Sequence, residues 1–254
     1  MKPLLLQNYD VFLFDLDDTL FDHSGAYKRG VDETLQNFPI LAEINQTEFF
    51  HTFTKHNHLL WSKFALKEIN FEEFSIMRLN NTLMDFNITA DSELLHQMVK
   101  GFQTSYLQQI SPQHKTIQFL SRLSREIQVG IVTNGTVFNV YDKIERLALT
   151  NIFPESSVIV SERIGIFKPH KGIFQHSLDL FKVEASRTLF IGDNYFTDIS
   201  GANSVGMETL WINRHDYVAP GEVQPDITVK GLLDMEGLIF GNEKREPYGQ
   251  TTGN

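Results

Sequence analysis

The segment DVFLFDLDDTLFD, residues 10 to 22, drives an apolar run straight into three acids, Asp15, Asp17 and Asp18. A carboxylate is ionised at neutral pH, so Asp15 can attack an electrophile without a partner base, unlike a serine or threonine hydroxyl. Asp17, two residues on, is placed to protonate a leaving oxygen and then to take a proton from water. That double duty calls for a raised pKa, which neighbouring carboxylates favour. Crowded like charges also call for a hard cation. Mg²⁺ suits oxygen ligands and bridges a few carboxylates to a phosphate oxygen. A solvated acidic turn would account for three acids in a row, but not for matching polar groups elsewhere in the chain.

Those groups are found by asking what positions the acids. Short apolar runs at 9–14, 127–132 (IQVGIV), 157–160 (SVIV), 188–191 (TLFI) and 209–212 (TLWI) read as strands buried on both faces. Helical spacing fills the gaps between them, as in Ile117, Leu120 and Leu123, or Val137, Val140, Tyr141, Ile144 and Leu147. Strand alternating with helix predicts an α/β fold, a doubly wound parallel sheet of Rossmann-like type, whose ligands bind outside the carboxyl ends of the strands. The first run ends in Asp15, Asp17 and Asp18, and the second in Thr133, Asn134 and Gly135. The third leads to Lys168 and Pro169, and the fourth ends in Gly192, Asp193 and Asn194.

Residues 22–108 carry no comparable strand run, and their apolar residues recur at helical spacing, which predicts an all-α insertion. The α/β core is expected over 1–21 and 109–240, with 241–254 a disordered tail. The insertion is rich in rings, among them Phe49, Phe50, Phe53, Trp61, Phe64, Phe71 and Phe74. Most are expected to pack its own core, and one left facing Asp15 would stack on a flat nucleobase. His51, His56 and His58 lie close together, but no carboxylate or cysteine pattern completes a coordination set, so a helix face is expected.

A net charge of −10 disfavours a nucleic-acid or anionic-membrane surface. The absence of cysteine excludes disulfides, thiolate metal sites and a cysteine nucleophile. The N-terminal leucine run breaks before it reaches the length of an export signal, so a cytoplasmic monomer or homodimer is expected.

DLDDT from Asp15, TNG from Thr133, the Lys168 of GIFKPHKGIF, and GDNYFTD from Gly192 resemble, in order and spacing, the four motifs of the haloacid dehalogenase-like superfamily. The resemblance covers nearly the whole chain apart from the tail, and the insertion after the first motif resembles a cap domain. It implies an aspartyl-phosphate on Asp15, with Asp17 as acid and base. It implies Mg²⁺ held by the side chains of Asp15 and Asp193 and the carbonyl of Asp17, supported by Asp198. Asp198 reads equally as an acid in the first turn of a helix. Lys168 would meet the phosphoryl oxygens with a fixed charge, while the Thr133 hydroxyl and the Asn134 backbone N–H donate to them; Lys171 is a rival for the lysine role. The dehalogenases lack the second acid of the first motif, so Asp17 points to a phosphatase. The wider spelling, including Lys143 and Glu145 after TNG, resembles the bacterial pyrimidine-nucleotide 5′-nucleotidases, and phosphoglycolate, sugar-phosphate and acylneuraminate phosphatases share most of it. The implied substrate is a small phosphorylated metabolite, a nucleoside 5′-monophosphate first. The other class of function is a catalytically silent binding protein on the same fold.

Overall fold

The computed structural model describes residues 4–241, so all but the first residue of the expected tail lies outside the described residues. Strand β1 is Val11–Phe14, β2 Gln128–Thr133, β3 Val158–Val160, β4 Thr188–Gly192, β5 Glu208–Ile212 and β6 Ile227–Val229. They form one sheet in the order β3-β2-β1-β4-β5-β6, with every pairing parallel. Five of the strands fall on the apolar runs. The sixth escapes the sequence reading because it is a three-residue edge strand with only Val229 fully buried, too short to show a pattern.

Side chains alternate across β1. Phe12 and Phe14 enter the larger of the two core clusters that flank the sheet, and Val11 and Leu13 enter the other with Ile173, Phe174 and Phe190. Burial on both faces requires helices on both, supplied by α5 (His114–Glu126), α6 (Val137–Arg146), α7 (Ser161–Ile164), α8 (Lys171–Phe181), α9 (Gly201–Asn203) and α10 (Asp234–Phe240). Phe14 lies opposite Ile131 of β2 and Ile191 of β4, so β2 continues two residues and β4 one residue past the end of β1 on the same side of the sheet. The chain runs outward from β1 through β2 and β3, then crosses to β4 on the other side. A crevice opens where strand order reverses.

The insertion holds α1 (His23–Asn37), α2 (Gln46–Ala65), α3 (Phe71–Asp85) and α4 (Ser92–Gln108). Each starts on an acid or amide, Asp22, Asn45, Asn70 or Asp91, whose side chain accepts from a backbone N–H of the first turn. Helices α1 and α4 approach closely at Gly30, where a Cβ would stand 2.6 Å from the Tyr106 Cα. On α2, His51 and His58 are exposed, and His56 Nε2 lies 2.9 Å from Asp85 Oδ2. No described helix is long and apolar enough to cross a membrane.

Candidate active site

The crevice gathers the strand-end residues into one cluster. Asp15 leaves β1 buried, and Lys168 Nζ donates to its Oδ1 at 2.7 Å and to Asp198 Oδ1 at 2.7 Å. Burial pushes the Asp15 carboxyl well above its ordinary range, and Asp198, Asp193 and Asp17 push the same way against Lys168. Burial works against the Lys168 charge, but Asp15 and Asp198 outweigh it and hold the ammonium above an ordinary lysine. Asp193 closes β4, and its carboxyl is pushed up to about 7 by burial and by Asp198 and Asp18.

Asp198 approaches this cluster because residue 192 is glycine: a Cβ there would meet Asp198 Oδ2 at 2.3 Å. It sits in the π-helical turn Tyr195–Ser200, fully buried, and also accepts from the Asn194 N–H at 3.0 Å. Both sequence readings of Asp198 therefore describe its place, in a first turn and against the cluster. Asp15, Asp193 and Asp198 each offer a carboxylate oxygen within 4.8 Å of the others. An all-oxygen set whose negative charge exceeds the single Lys168 fits a hard divalent cation such as Mg²⁺.

The phosphate-side residues gather as well, with one rearrangement. Thr133 is buried, and its Oγ1 accepts from the Gly135 N–H at 3.0 Å, so its own hydrogen is available to a ligand. The Asn134 side chain does a job not read from the sequence. Its Nδ2 donates to the Lys168 carbonyl at 2.9 Å and its Oδ1 accepts from the Lys168 N–H at 2.8 Å, locking the lysine loop to the end of β2. Lys171 is exposed at the start of α8.

Asp17 corrects the sequence reading. Burial pushes its carboxyl up, but His23 and Lys143 pull harder, and the group is held below the ordinary aspartate range. Lys143, 2% exposed on the side facing the site, donates to both carboxylate oxygens at 2.8 and 2.9 Å. His23 Nδ1 lies 3.5 Å from Asp17 Oδ1 and 2.8 Å from Tyr106 Oη. Burial keeps the imidazole below its usual pKa, with Lys143 adding to the effect. The neighbouring carboxylates visible in the sequence predict the wrong sign because the groups that outweigh burial, His23 and Lys143, are brought to Asp17 by the fold, Lys143 from 126 residues away. Asp18 turns aside from the cluster, although its charge still reaches Asp193. Its backbone turns left-handed (φ 59°), and its carboxylate accepts from the Ser24 N–H at 2.8 Å and Oγ at 2.5 Å, pinning the entry to α1.

Above the cluster lies a cavity of about 940 Å³ that reaches from Asp15 into the insertion. Phe49, Phe53, Phe64 and Phe74 are buried, Phe74 at the cavity wall, and Phe50, Trp61 and Phe71 are half-buried and line the cavity with it. From the sheet side, Phe167, next to Lys168, packs against Trp61 and Phe64 of α2, with ring centroids 6.2 and 6.3 Å apart.

Residues 12–212 match the family model described as haloacid dehalogenase-like hydrolase. The chain is 25% identical over 232 residues to pyrimidine 5′-nucleotidase YjjG of Escherichia coli, covering 91% of this chain and 98% of that one. It is 30% identical over 218 residues to glyceraldehyde 3-phosphate phosphatase of Pyrococcus furiosus, covering 84% of each. Among solved structures, the HAD-hydrolase YfnB of Bacillus subtilis bound to magnesium superposes with a TM-score of 0.75 at 24% identity, covering 92% of this chain and 99% of that one. A 2-haloacid dehalogenase of Pseudomonas syringae superposes with a TM-score of 0.66 at 24% identity, covering 91% and 97%.

Proposed function

The chain belongs to the haloacid dehalogenase-like hydrolase family, and within it we propose a phosphomonoester hydrolase that works through an aspartyl-phosphate on Asp15. The observation that carries this reading is the buried Asp15 carboxylate held 2.7 Å from Lys168, with Asp17 two residues away. An Asp15 oxygen attacks phosphorus as the ester P–O bond breaks, and the leaving oxygen takes a proton from Asp17. Water then attacks the same phosphorus and gives its proton to Asp17. The Asp15–phosphorus bond breaks and inorganic phosphate leaves. The lowered Asp17 pKa suits the second step, in which it acts as a base; the approach of a phosphate dianion favours the protonated form needed for the first. Lys168, Thr133 and the Asn134 backbone N–H meet the phosphoryl oxygens. A 2-haloacid dehalogenase reading leaves Asp17 without its first role, since displacing halide from carbon calls for no proton donor.

The finer reading is a nucleoside 5′-monophosphate, a pyrimidine one first. The named activity of the E. coli relative and the half-buried rings beside the cavity support it. A panel of nucleoside monophosphates, phosphoglycolate, hexose phosphates and 2-chloropropionate, assayed for phosphate or halide release with Mg²⁺, tests both levels. Phosphate from none of the esters ends the phosphatase reading. Phosphoglycolate or a sugar phosphate ahead by more than about tenfold in kcat/KM ends only the nucleotide one.

Asp15, Asp193 and the Asp17 carbonyl would hold Mg²⁺, with Asp198 beside them. When bound, the cation neutralises the carboxylates and polarises a phosphoryl oxygen. Magnesium at a hundredfold excess over its dissociation constant is expected to raise the unfolding midpoint by roughly 5–10 °C, following ligand linkage in a chain of this size. Asp193→Asn should shrink that shift. A midpoint that magnesium does not move would remove the cation from the site.

Residues 22–108 are proposed as a cap over a core of 1–21 and 109–240. The structure of YfnB with magnesium shows interdomain movement, and a lid here would exclude water during transfer and release product on opening. Small-angle scattering should show a more compact particle when Mg²⁺ and beryllium fluoride are added together. Superimposable profiles at saturation would count against a moving cap.

A further inference from the structure

The cavity has two ends, and only the sheet end is explained by phosphoryl chemistry. Its lysines all rest on carboxylates: Lys168 on Asp15 and Asp198, Lys143 on Asp17, and Lys28 on Asp32. Arg78 of α3 also lines the cavity, is 5% exposed, and meets no carboxylate among the described residues. Its Nη1 donates to Tyr27 Oη at 2.8 Å and to Asn57 Oδ1 at 2.7 Å, and its Nε is buried without a partner. The guanidinium carbon lies 4.4, 5.2 and 5.4 Å from the ring centroids of Phe53, Phe74 and Phe102.

Aromatic faces offset part of the cost of burying this cation, but they are neutral. A guanidinium remains charged even where burial disfavours it, and a buried charge lacking an anion carries a large desolvation penalty. If Arg78 served packing alone, an unbranched apolar side chain would fill the same space among the rings without that cost. Asn57 adds to the asymmetry: its oxygen already accepts from Arg78, which leaves its two amide hydrogens as the readier group. This end of the cavity therefore presents donors and calls for acceptors.

We infer that Arg78 is a specificity-determining residue that takes an oxygen acceptor, a ring carbonyl or a carboxylate, on the part of the substrate remote from the phosphate. The inference rests on the phosphatase reading and deepens it, because it states what the leaving group must carry. An amino group at that position would set donor against donor and be rejected.

Two matched ester pairs test it. Uridine and cytidine 5′-monophosphates differ in a ring carbonyl against an amino group. 3-Phosphoglycerate and glycerol 3-phosphate differ in a carboxylate against a hydroxymethyl. The wild-type chain should favour the acceptor-bearing member of at least one pair, and that pair identifies the acceptor. For that member, Arg78→Met should lower kcat/KM by about ten- to a hundredfold more than for its partner, the size of a hydrogen bond to a charged group, with the change mainly in KM. Arg78→Lys should recover part of the preference. Should Arg78→Met fail to fold in thermal unfolding, Arg78→Gln carries the same comparison. Equal losses for both members of each pair, or no wild-type preference in either, would overturn the inference while leaving the phosphatase reading in place. Phosphate release from none of the four esters or from an aryl phosphate would overturn the phosphatase reading and this inference with it.

Discussion

Asp15→Asn is expected to bring phosphate release down by roughly 10⁴-fold or more, because an amide cannot form the phosphoryl bond and no other group stands in its place. The same substitution removes one carboxylate from a cluster in which burial and three neighbouring acids already oppose its charge. The unfolding midpoint of the metal-free variant should therefore equal or exceed that of the wild type, which separates lost chemistry from lost fold. Acid-quenched turnover followed by mass spectrometry should find a phosphoryl group on the wild-type peptide containing Asp15 and none on the variant. In Asp17→Asn the adduct should persist, since water lacks its base. An Asp15→Asn protein that still turns over at near the wild-type rate would place the nucleophile elsewhere.

Lys168→Met is expected to cost about 10³-fold in kcat, the upper range for a single group that stabilises developing charge. It should also destabilise the metal-free fold by about 3–5 kcal/mol, because Asp15 and Asp198 share this one ammonium and both would be left buried without it. Magnesium should restore part of the stability and little of the rate. Lys171→Met, at an exposed position three residues on at the start of α8, should leave the rate unchanged. The reverse pattern, an essential Lys171 and a dispensable Lys168, would exchange their roles.

The sequence carried the sheet and the strand-end residues because both are local signals. A short apolar run followed by a polar group marks where a buried strand leaves the core, and Asp15, Thr133 and Asp193 are legible in that way. Residues that act from a helix face were not legible. Lys143 lies on α6 in a stretch that reads as an ordinary amphipathic helix, and nothing in its neighbours says that it faces Asp17. Arg78 was hidden for a related reason, since the rings around it come from α1, α2, α3 and α4 and meet only after the insertion folds. The Asp17 pKa departs from expectation for the same reason: its acidic neighbours are adjacent in sequence, whereas Lys143 reaches it only once α6 has packed. The pairing of the Asn134 side chain with the Lys168 backbone was not legible either, because a side chain that reads the backbone of a distant loop leaves no spacing rule behind.

The contact between His23 and Tyr106 has a consequence for how such a chain can diversify. These residues stand 83 positions apart, at the entrance to α1 and near the end of α4, yet their side chains are 2.8 Å apart. The helical insertion thus leaves and rejoins the sheet at almost a single point. A segment whose ends already touch can be lengthened, repacked or exchanged for another bundle without stretching the strands that carry Asp15, Thr133, Lys168 and Asp193. Arg78 and the cavity rings travel with that segment, whereas Asp15 and Lys168 stay with the sheet. On the proposed chemistry, choice of ester and turnover of that ester would then lie on separate pieces of the fold, joined at the edge of Asp17.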